Sequence, residues 1–213
     1  MKKYITLLWI LLLIKGDTIM NFYKDVKPIK NPNAILVLVN KNNRLDKSYV
    51  PYDLSAIDIK YANENKLVRK EAKIAFEALS EEAMKKGFRI VAVSTYRSYD
   101  YQENLYNHYV ETKGLAYADA CSARKGHSEH QTGLALDVEG STGTYDEFGE
   151  TKDFIWMRDN AHRFGFILRY PADKTYITGF KYEPWHYRYV GVKVATEIFH
   201  QKITLEEYIK QIS

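Results

Sequence analysis

Apolar residues recur at helical spacing in several parts of the chain. The clearest case covers residues 68–86, and Gly87 follows as a C-terminal cap. One face of this predicted amphipathic helix carries Ala72, Ala75, Phe76, Leu79 and Ala83. Further helices are predicted over residues 98–113, 115–120, 151–164 and 192–201. A last helix should begin at the capping box formed by Thr204 and Glu207.

Short apolar runs rich in β-branched residues predict the strands. They cover residues 34–39, 89–95, 134–138 and 166–170, and a further strand ends at residues 181–183. The last two strands are expected to pair as a hairpin with a long connection. Helices and strands do not alternate in a strict βαβ order. The pattern therefore predicts an α+β fold, a single domain with a mostly antiparallel central sheet flanked by helices.

The beginning of the chain differs from the remainder. Lys2 and Lys3 precede an apolar run from Ile5 to Ile14, which is the arrangement of a secretory signal. The run is shorter than the ~20 residues of a membrane-spanning helix, and no small-residue cleavage site follows it. Residues 1–20 are therefore predicted to be a signal-like or membrane-anchor segment. The alternatives are a core helix, or an upstream extension of a protein that starts at Met20.

Composition narrows the class of protein. The formal net charge of +4 is mild, and the chain has neither a basic stripe nor a recognition helix, so nucleic-acid binding is not predicted. Its one cysteine, Cys121, excludes an internal disulfide and a cysteine-based zinc site. Nothing in the composition predicts the oligomeric state.

Residues 128–137 hold the clearest candidate chemistry. Their sequence, Ser-Glu-His-Gln-Thr-Gly-Leu-Ala-Leu-Asp, places His130 and Asp137 on either side of Gly133, where the backbone can bend. A loop that leads into a strand can direct both side chains at one point. Zinc accepts nitrogen and oxygen donors, and a catalytic site needs three protein ligands. Asp137 could instead be a capping carboxylate, but a charge on a buried strand needs a partner such as a metal.

The segment Glu183-Pro184-Trp185-His186 can supply the third ligand. His186 would complete a His/Asp/His set, and Glu183 would be available as a general base. Pro184 excludes a helix interior, so the zinc site should lie on strand and loop segments. His127 is an alternative ligand, because it precedes His130 by three residues.

These motifs resemble those of the VanY-type D-alanyl-D-alanine carboxypeptidases, which are zinc peptidases of bacterial cell-wall peptides. The resemblance extends from about Ile35 to Gly191 and follows the family order. Beyond the two motifs above, it includes Tyr96-Arg97-Ser98 with Gln102, Arg169-Tyr170-Pro171, Thr178-Gly179 and Trp185 to Gly191. It assigns His130 and not His127 to the metal.

The resemblance implies an exported bacterial enzyme of the cell surface, cell wall or membrane. Residues 34–213 would be its zinc peptidase catalytic domain. The polar composition of residues 21–33, with Pro28 and Pro32, predicts a linker or an extended lead-in. One Zn²⁺ per chain, held by His130, Asp137 and His186, would activate a water, with Glu183 as general base. The expected reaction is hydrolysis of the terminal D-Ala-D-Ala bond of peptidoglycan stem pentapeptides.

Four further residues are expected to bind the substrate. Arg97, also placed among the catalytic residues, should bind an anion, either the terminal carboxylate or the tetrahedral oxyanion. The resemblance implies that Gln102 and Ser128 donate or accept substrate hydrogen bonds. Tyr187 would form part of the pocket wall or orient His186.

Other activities use the same constellation and stay open at this stage. An L,D-carboxypeptidase acting on tetrapeptides or a peptidoglycan endopeptidase would differ only in pocket shape. A non-catalytic cell-wall-binding module is the alternative from another class. It has no need of a general base, so the presence of Glu183 favours an enzyme.

Overall fold

The computed structural model describes residues 22–213. The predicted signal-like segment, residues 1–20, lies outside the described residues. Within the described part, no helix combines the length and the apolar character needed to cross a membrane.

The strands are short and lie in three sheets. They are β1 Lys27–Pro28, β2 Asn43–Arg44, β3 Leu54–Ala56, β4 Leu67–Arg69, β5 Val91–Ser94, β6 Ala135–Glu139, β7 Phe166–Leu168 and β8 His186–Tyr189. The central sheet has four antiparallel strands in the order β5-β6-β8-β7. Two small pairs, β1-β2 and β3-β4, accompany it. The predicted α+β class with a mostly antiparallel central sheet is confirmed.

Seven α-helices lie in the described part of the chain. The α-helices are α1 Lys70–Lys85, α2 Tyr99–Lys113, α3 Leu115–Cys121, α4 Lys152–Asn160, α5 Thr175–Thr178, α6 Val192–Gln201 and α7 Leu205–Ile212. Short 3-10 helices lie at Ile59–Tyr61, Glu129–Thr132, Tyr145–Glu150, Ala161–Phe164 and Ala172–Lys174. The predicted capping box of α7 is present, since Thr204 and Glu207 each bond the other's backbone N–H.

The alternation of side chains along β6 separates the core from the site. Leu136 and Val138 are fully buried in the large hydrophobic core, and successive residues of a strand point to opposite faces. Phe76 of α1 reaches the same core and packs edge-on against Phe166 of β7. Asp137 therefore faces away from this core, towards the other side of the sheet.

Two predicted strands are absent, and each has a physical reason. Residues 34–39 form turns and irregular backbone; Val37 and Val39 are buried, but Arg188 donates to the carbonyls of Ile35 and Val37 in place of a neighbouring strand. Residues 181–183 are also irregular, and the strand begins only at His186, after Pro184. The partner of β7 in the hairpin is therefore β8.

Candidate metal centre

Three candidate ligands from separate segments meet on the central sheet. Asp137 lies in the middle of β6, and its cross-strand partner in β8 is His186. His130 comes from the 3-10 helix Glu129–Thr132. One ligand atom of each residue lies within 4.8 Å of the others, and all three residues are buried.

The local sequence explains how His130 reaches this point. The Ser128 hydroxyl caps the 3-10 helix by accepting from the His130 backbone N–H. Gly133 ends the helix with a φ of +65°, a conformation that favours glycine. Its N–H donates to the His130 carbonyl, and the chain then turns directly into β6.

The two histidines direct different nitrogens at the centre. His130 Nδ1 lies 2.7 Å from the Thr95 carbonyl, which can only accept, so Nδ1 carries the hydrogen and Nε2 has the free lone pair. His186 Nε2 lies 3.4 Å from a carboxylate oxygen of Glu129. Its other ring nitrogen, Nδ1, therefore faces Asp137 and is the candidate metal-ligand atom.

The atoms at the centre fit a metal ion. His130 Nε2 lies 3.3 Å from one oxygen of Asp137, and His186 Nδ1 lies 3.0 Å from the other. Even so, His130 Nε2 and Asp137 Oδ1 are buried without a hydrogen-bond partner. Buried polar atoms are nearly always satisfied, and two imidazole nitrogens with a carboxylate oxygen form a donor set that suits zinc.

The charges around these residues shift their ionisation strongly. Burial lowers the pKa of His130 to about 4. Burial also opposes a charge on His186, but the contacts with Asp137 and Glu129 outweigh it and raise its pKa to about 9. For Asp137, burial opposes ionisation, yet the two histidines hold its pKa well below the usual range. The centre thus keeps a carboxylate ionised in a buried site.

Glu183 lies at the edge of the three candidate ligands. One of its carboxylate oxygens is 3.9 Å from His186 Nδ1, and a turn that joins the His186 N–H to the Glu183 carbonyl sets this spacing. The side chain is buried, and burial raises its pKa to about 7. A carboxylate with this pKa can both accept and return a proton near neutral pH.

Arg97 also lies beside the candidate ligands. Its Nη1 lies 3.6 Å from Asp137 Oδ2 and 2.8 Å from the Ser94 hydroxyl. Its Nε donates to the Gln102 side chain. Gln102 is buried, and its amide nitrogen donates to Ser122 and to the Ala123 carbonyl. Gln102 therefore holds the Arg97 side chain in place. A direct contact between Gln102 and the substrate stays a prediction.

A cleft of about 250 Å³ opens over the centre. Its lining includes Arg97, Leu105, Tyr109, Tyr117, Cys121, Ser128, Glu129, Tyr145, Tyr170, Lys181, Glu183 and Trp185 together with the three candidate ligands. Ser128 thus lies where the prediction needs it. Tyr187 does not, because it follows His186 on β8, points to the opposite face and is fully buried in the large core. Its predicted contact with substrate is not supported by this position.

The alternative ligand His127 lies outside the centre. His127 is not part of the group of candidate ligands; its Nδ1 lies 2.8 Å from the Asn40 carbonyl, and its ring packs edge-on against Tyr23. Cys121 is half-buried in the cleft wall, and burial raises the pKa of its thiol. A thiol with a raised pKa is a poor nucleophile.

Sequence reasoning assigned no role to Glu129. Its carboxylate is fully buried and contacts His186, Arg169 and Arg188. Burial opposes its ionisation, but the two guanidinium groups outweigh that and hold its pKa below the usual range. The sequence did contain a signal for this role. Glu129 is an acidic residue inside the motif that holds His130, and Arg169 and Arg188 lie in two other segments that resemble the family.

Comparison with known proteins places the chain among peptidases. The family model described as VanY, D-alanyl-D-alanine carboxypeptidase, matches residues 65–192. The Bacillus subtilis protein YodJ is 42% identical over 204 residues, which cover 90% of this chain and 75% of that relative.

Two solved structures resemble this one in both fold and sequence. The LdcB LD-carboxypeptidase has a TM-score of 0.81 and 43% identity, over 88% of this chain and 91% of that chain. A mutant of the vancomycin-resistance D,D-pentapeptidase VanY, in complex with Zn(II), has a TM-score of 0.71 and 36% identity. That match covers 82% of this chain and 98% of the other.

Proposed function

The chain belongs to the VanY family of D-alanyl-D-alanine carboxypeptidases and is a zinc-dependent metallo-carboxypeptidase, and we propose that it removes the terminal D-alanine from peptidoglycan stem pentapeptides. The observation that carries the proposal is the convergence of His130, Asp137 and His186 beside the buried Glu183. A binding module has no physical need of such a carboxylate.

The three convergent residues would hold the ion through His130 Nε2, His186 Nδ1 and Asp137. When bound there, zinc would polarise the scissile carbonyl and lower the pKa of a water molecule. Two imidazoles and one carboxylate would supply three protein ligands, the number that catalytic zinc sites use.

Glu183 would transfer the proton during hydrolysis. Its carboxylate takes a proton from the attacking water and gives it to the nitrogen of the leaving D-alanine as the amide bond breaks. Its pKa of about 7 suits both halves of this exchange, because a group titrating near the working pH is effective as base and as acid.

Arg97 would bind the negative charge of the substrate. Its guanidinium is held by Ser94 and Gln102 and faces the cleft. A fixed guanidinium binds a carboxylate through two parallel hydrogen bonds, which suits the free carboxylate of a terminal D-alanine. Ser128, in the cleft wall, is proposed to contact the peptide near the cleaved bond.

A second substrate preference is favoured by one observation. The solved structure named as an LD-carboxypeptidase has a higher identity and TM-score than the VanY structure. Removal of D-alanine from a tetrapeptide uses the same proposed machinery, because the released residue and its carboxylate are the same. With either substrate the enzyme would work outside the cytoplasm, on wall peptides. Attachment to the membrane through residues 1–20 stays a prediction.

The test is incubation of the zinc-loaded full chain with muramyl pentapeptide and with muramyl tetrapeptide. The products are identified by mass spectrometry. Chelator-sensitive loss of one alanine from the pentapeptide is the expected result. Loss from the tetrapeptide alone would assign the L,D activity instead. Cleavage of neither peptide, with zinc bound, would contradict both carboxypeptidase assignments.

A further inference from the structure

A chain of buried charges links the metal centre to the C-terminal helix α7. One oxygen of Glu129 lies 3.4 Å from His186 Nε2, and the other accepts at 2.8 Å from both Arg169 and Arg188. Arg169 continues the chain with two hydrogen bonds, of 2.9 and 2.7 Å, to the carboxylate of Glu206.

This chain is enclosed by protein. The side chains of Glu129, Arg169 and Arg188 are completely buried, and that of Glu206 is 14% exposed. Burial of an ion is costly unless partners compensate it. Here two carboxylates balance two guanidiniums, and the remaining Arg188 donors bond carbonyls, so the cluster is neutral.

Glu129 selects the tautomer of His186. A carboxylate only accepts hydrogen bonds, so the nitrogen that faces it, Nε2, must carry the hydrogen. Nδ1, which lies beside Asp137, is then the nitrogen that would give up its proton when a metal ion binds, and its lone pair faces the centre. In His130 the Thr95 carbonyl selects the tautomer in the same way, but it accepts from Nδ1 and leaves Nε2 to face the centre. Metal-binding histidines commonly depend on such a partner for their orientation.

We propose that Glu129 is a positioning residue of the metal centre and that Glu206, acting through Arg169, sets the affinity of the centre for zinc. The inference rests on the proposed function, because it takes His186 as a ligand. Glu206 lies outside the residues 65–192 that match the family model. The C-terminal helix is thereby a part of the metal site.

Charge explains why Glu206 matters at a distance from the ion. Without its carboxylate, Arg169 and Arg188 together outweigh Glu129, and the buried cluster carries a net positive charge. That charge repels a divalent cation through a medium of low dielectric constant. Arg169 would also lose at least one of its two hydrogen bonds to residue 206, so its contact with Glu129, and with it the orientation of His186, would loosen.

The test compares zinc dissociation constants of the full chain, measured by competition with a chelator. Glu129→Gln should weaken binding by about 10–100-fold, and Glu206→Gln by a smaller factor of about 3–10. Asp53→Asn is the matched control, because it removes the carboxylate that pairs with Arg69 and contacts no candidate ligand. The side chains of Arg69 and Asp53 are 6% and 19% exposed, so this ion pair is also largely buried. It should leave the zinc affinity unchanged.

A second measurement separates positioning from general damage. The visible absorption of bound cobalt(II) reports ligand geometry and should change in Glu129→Gln but not in Asp53→Asn. If Glu129→Gln does not fold, Glu206→Gln alone decides the matter through its affinity. The inference would be overturned if Glu206→Gln bound zinc as tightly as the wild type. It would also be overturned if the zinc affinity and the cobalt(II) absorption of Glu129→Gln changed no more than those of Asp53→Asn. A wild-type chain that binds no zinc would overturn the proposed function itself.

Discussion

At the scale of single residues, Glu183 differs from the carboxylates of the surface. It is 6% exposed, and burial raises its pKa to about 7, although His186 and Lys181 act in the opposite direction. A structural ion pair would instead hold the pKa of a glutamate low. This environment is the kind that catalytic acids and bases require.

Glu183→Gln should therefore lower the turnover number by about 10²–10⁴-fold, since it removes proton transfer but keeps the side-chain shape. Zinc content, measured by atomic emission, should stay at the wild-type level because the three candidate ligands are intact. Glu111→Gln, an exposed position on α2, serves as control. Unimpaired turnover in Glu183→Gln would remove Glu183 from the mechanism.

Arg97→Lys should weaken the recognition of a terminal carboxylate. Lysine keeps the positive charge but loses the paired hydrogen bonds of a guanidinium, so KM should rise about tenfold. The comparison substrate is the same peptide with a C-terminal amide, for which wild type and variant should differ little. An equal loss of turnover on both peptides would assign Arg97 to the oxyanion and not to the carboxylate.

At the scale of elements, helices were predicted well and irregular segments were not. The predicted helix 68–86 is Lys70–Lys85, and the predicted helix 192–201 is unchanged, because a periodic apolar face is a local property. Residues 34–39 have the composition of a strand. Their backbone bonds the guanidinium of Arg188, a contact between distant segments that local composition does not encode.

The same contrast holds inside the candidate site. The group of His130, Asp137 and His186 was predicted because its members occur in two recognisable motifs. Glu129 was overlooked, since its partners are remote in sequence and its role appears only when Arg169 and Arg188 converge on it. Tyr187 was misplaced for the opposite reason: it lies next to a candidate ligand, but strand alternation turns it into the core.

The turn at Gly133 is the element that connects His130 to β6. A Cβ at this position would lie 2.9 Å from the Leu54 side chain and 3.1 Å from that of Arg69. Gly133→Ala should cost about 1–2 kcal/mol for the left-handed backbone and more for the clash, and it should weaken zinc binding. Gly87→Ala is the matched control, with a φ of +82° and nothing within 4 Å.

Urea unfolding of both glycine variants would measure these costs. We expect Gly133→Ala to lose clearly more stability than Gly87→Ala, because of these two glycines Gly133 alone has close neighbours as well as a positive φ. Only Gly133→Ala should also change the zinc affinity. Equal losses in stability with unchanged zinc binding would show that the turn tolerates a side chain and does not position His130.

At the scale of the whole molecule, the candidate metal centre connects three parts of the chain. His130 belongs to a 3-10 helix, Asp137 to the centre of the sheet and His186 to the strand that precedes the C-terminal helices. A ligand that binds only the folded state adds to stability by mass action. Zinc should thus stabilise the fold as well as take part in the reaction.

Free zinc at a hundred times its dissociation constant should add about 2.7 kcal/mol to the free energy of unfolding, a rise in Tm of roughly 5–10 °C for a chain of this size. His130→Ala should abolish that rise. His127→Ala should lower the Tm in the absence of zinc, since it loses the contacts with Asn40 and Tyr23, but keep the increment that zinc produces. Scanning calorimetry with zinc and with chelator would measure both. The reverse pattern, a rise in His130→Ala and none in His127→Ala, would place the metal on the other histidine.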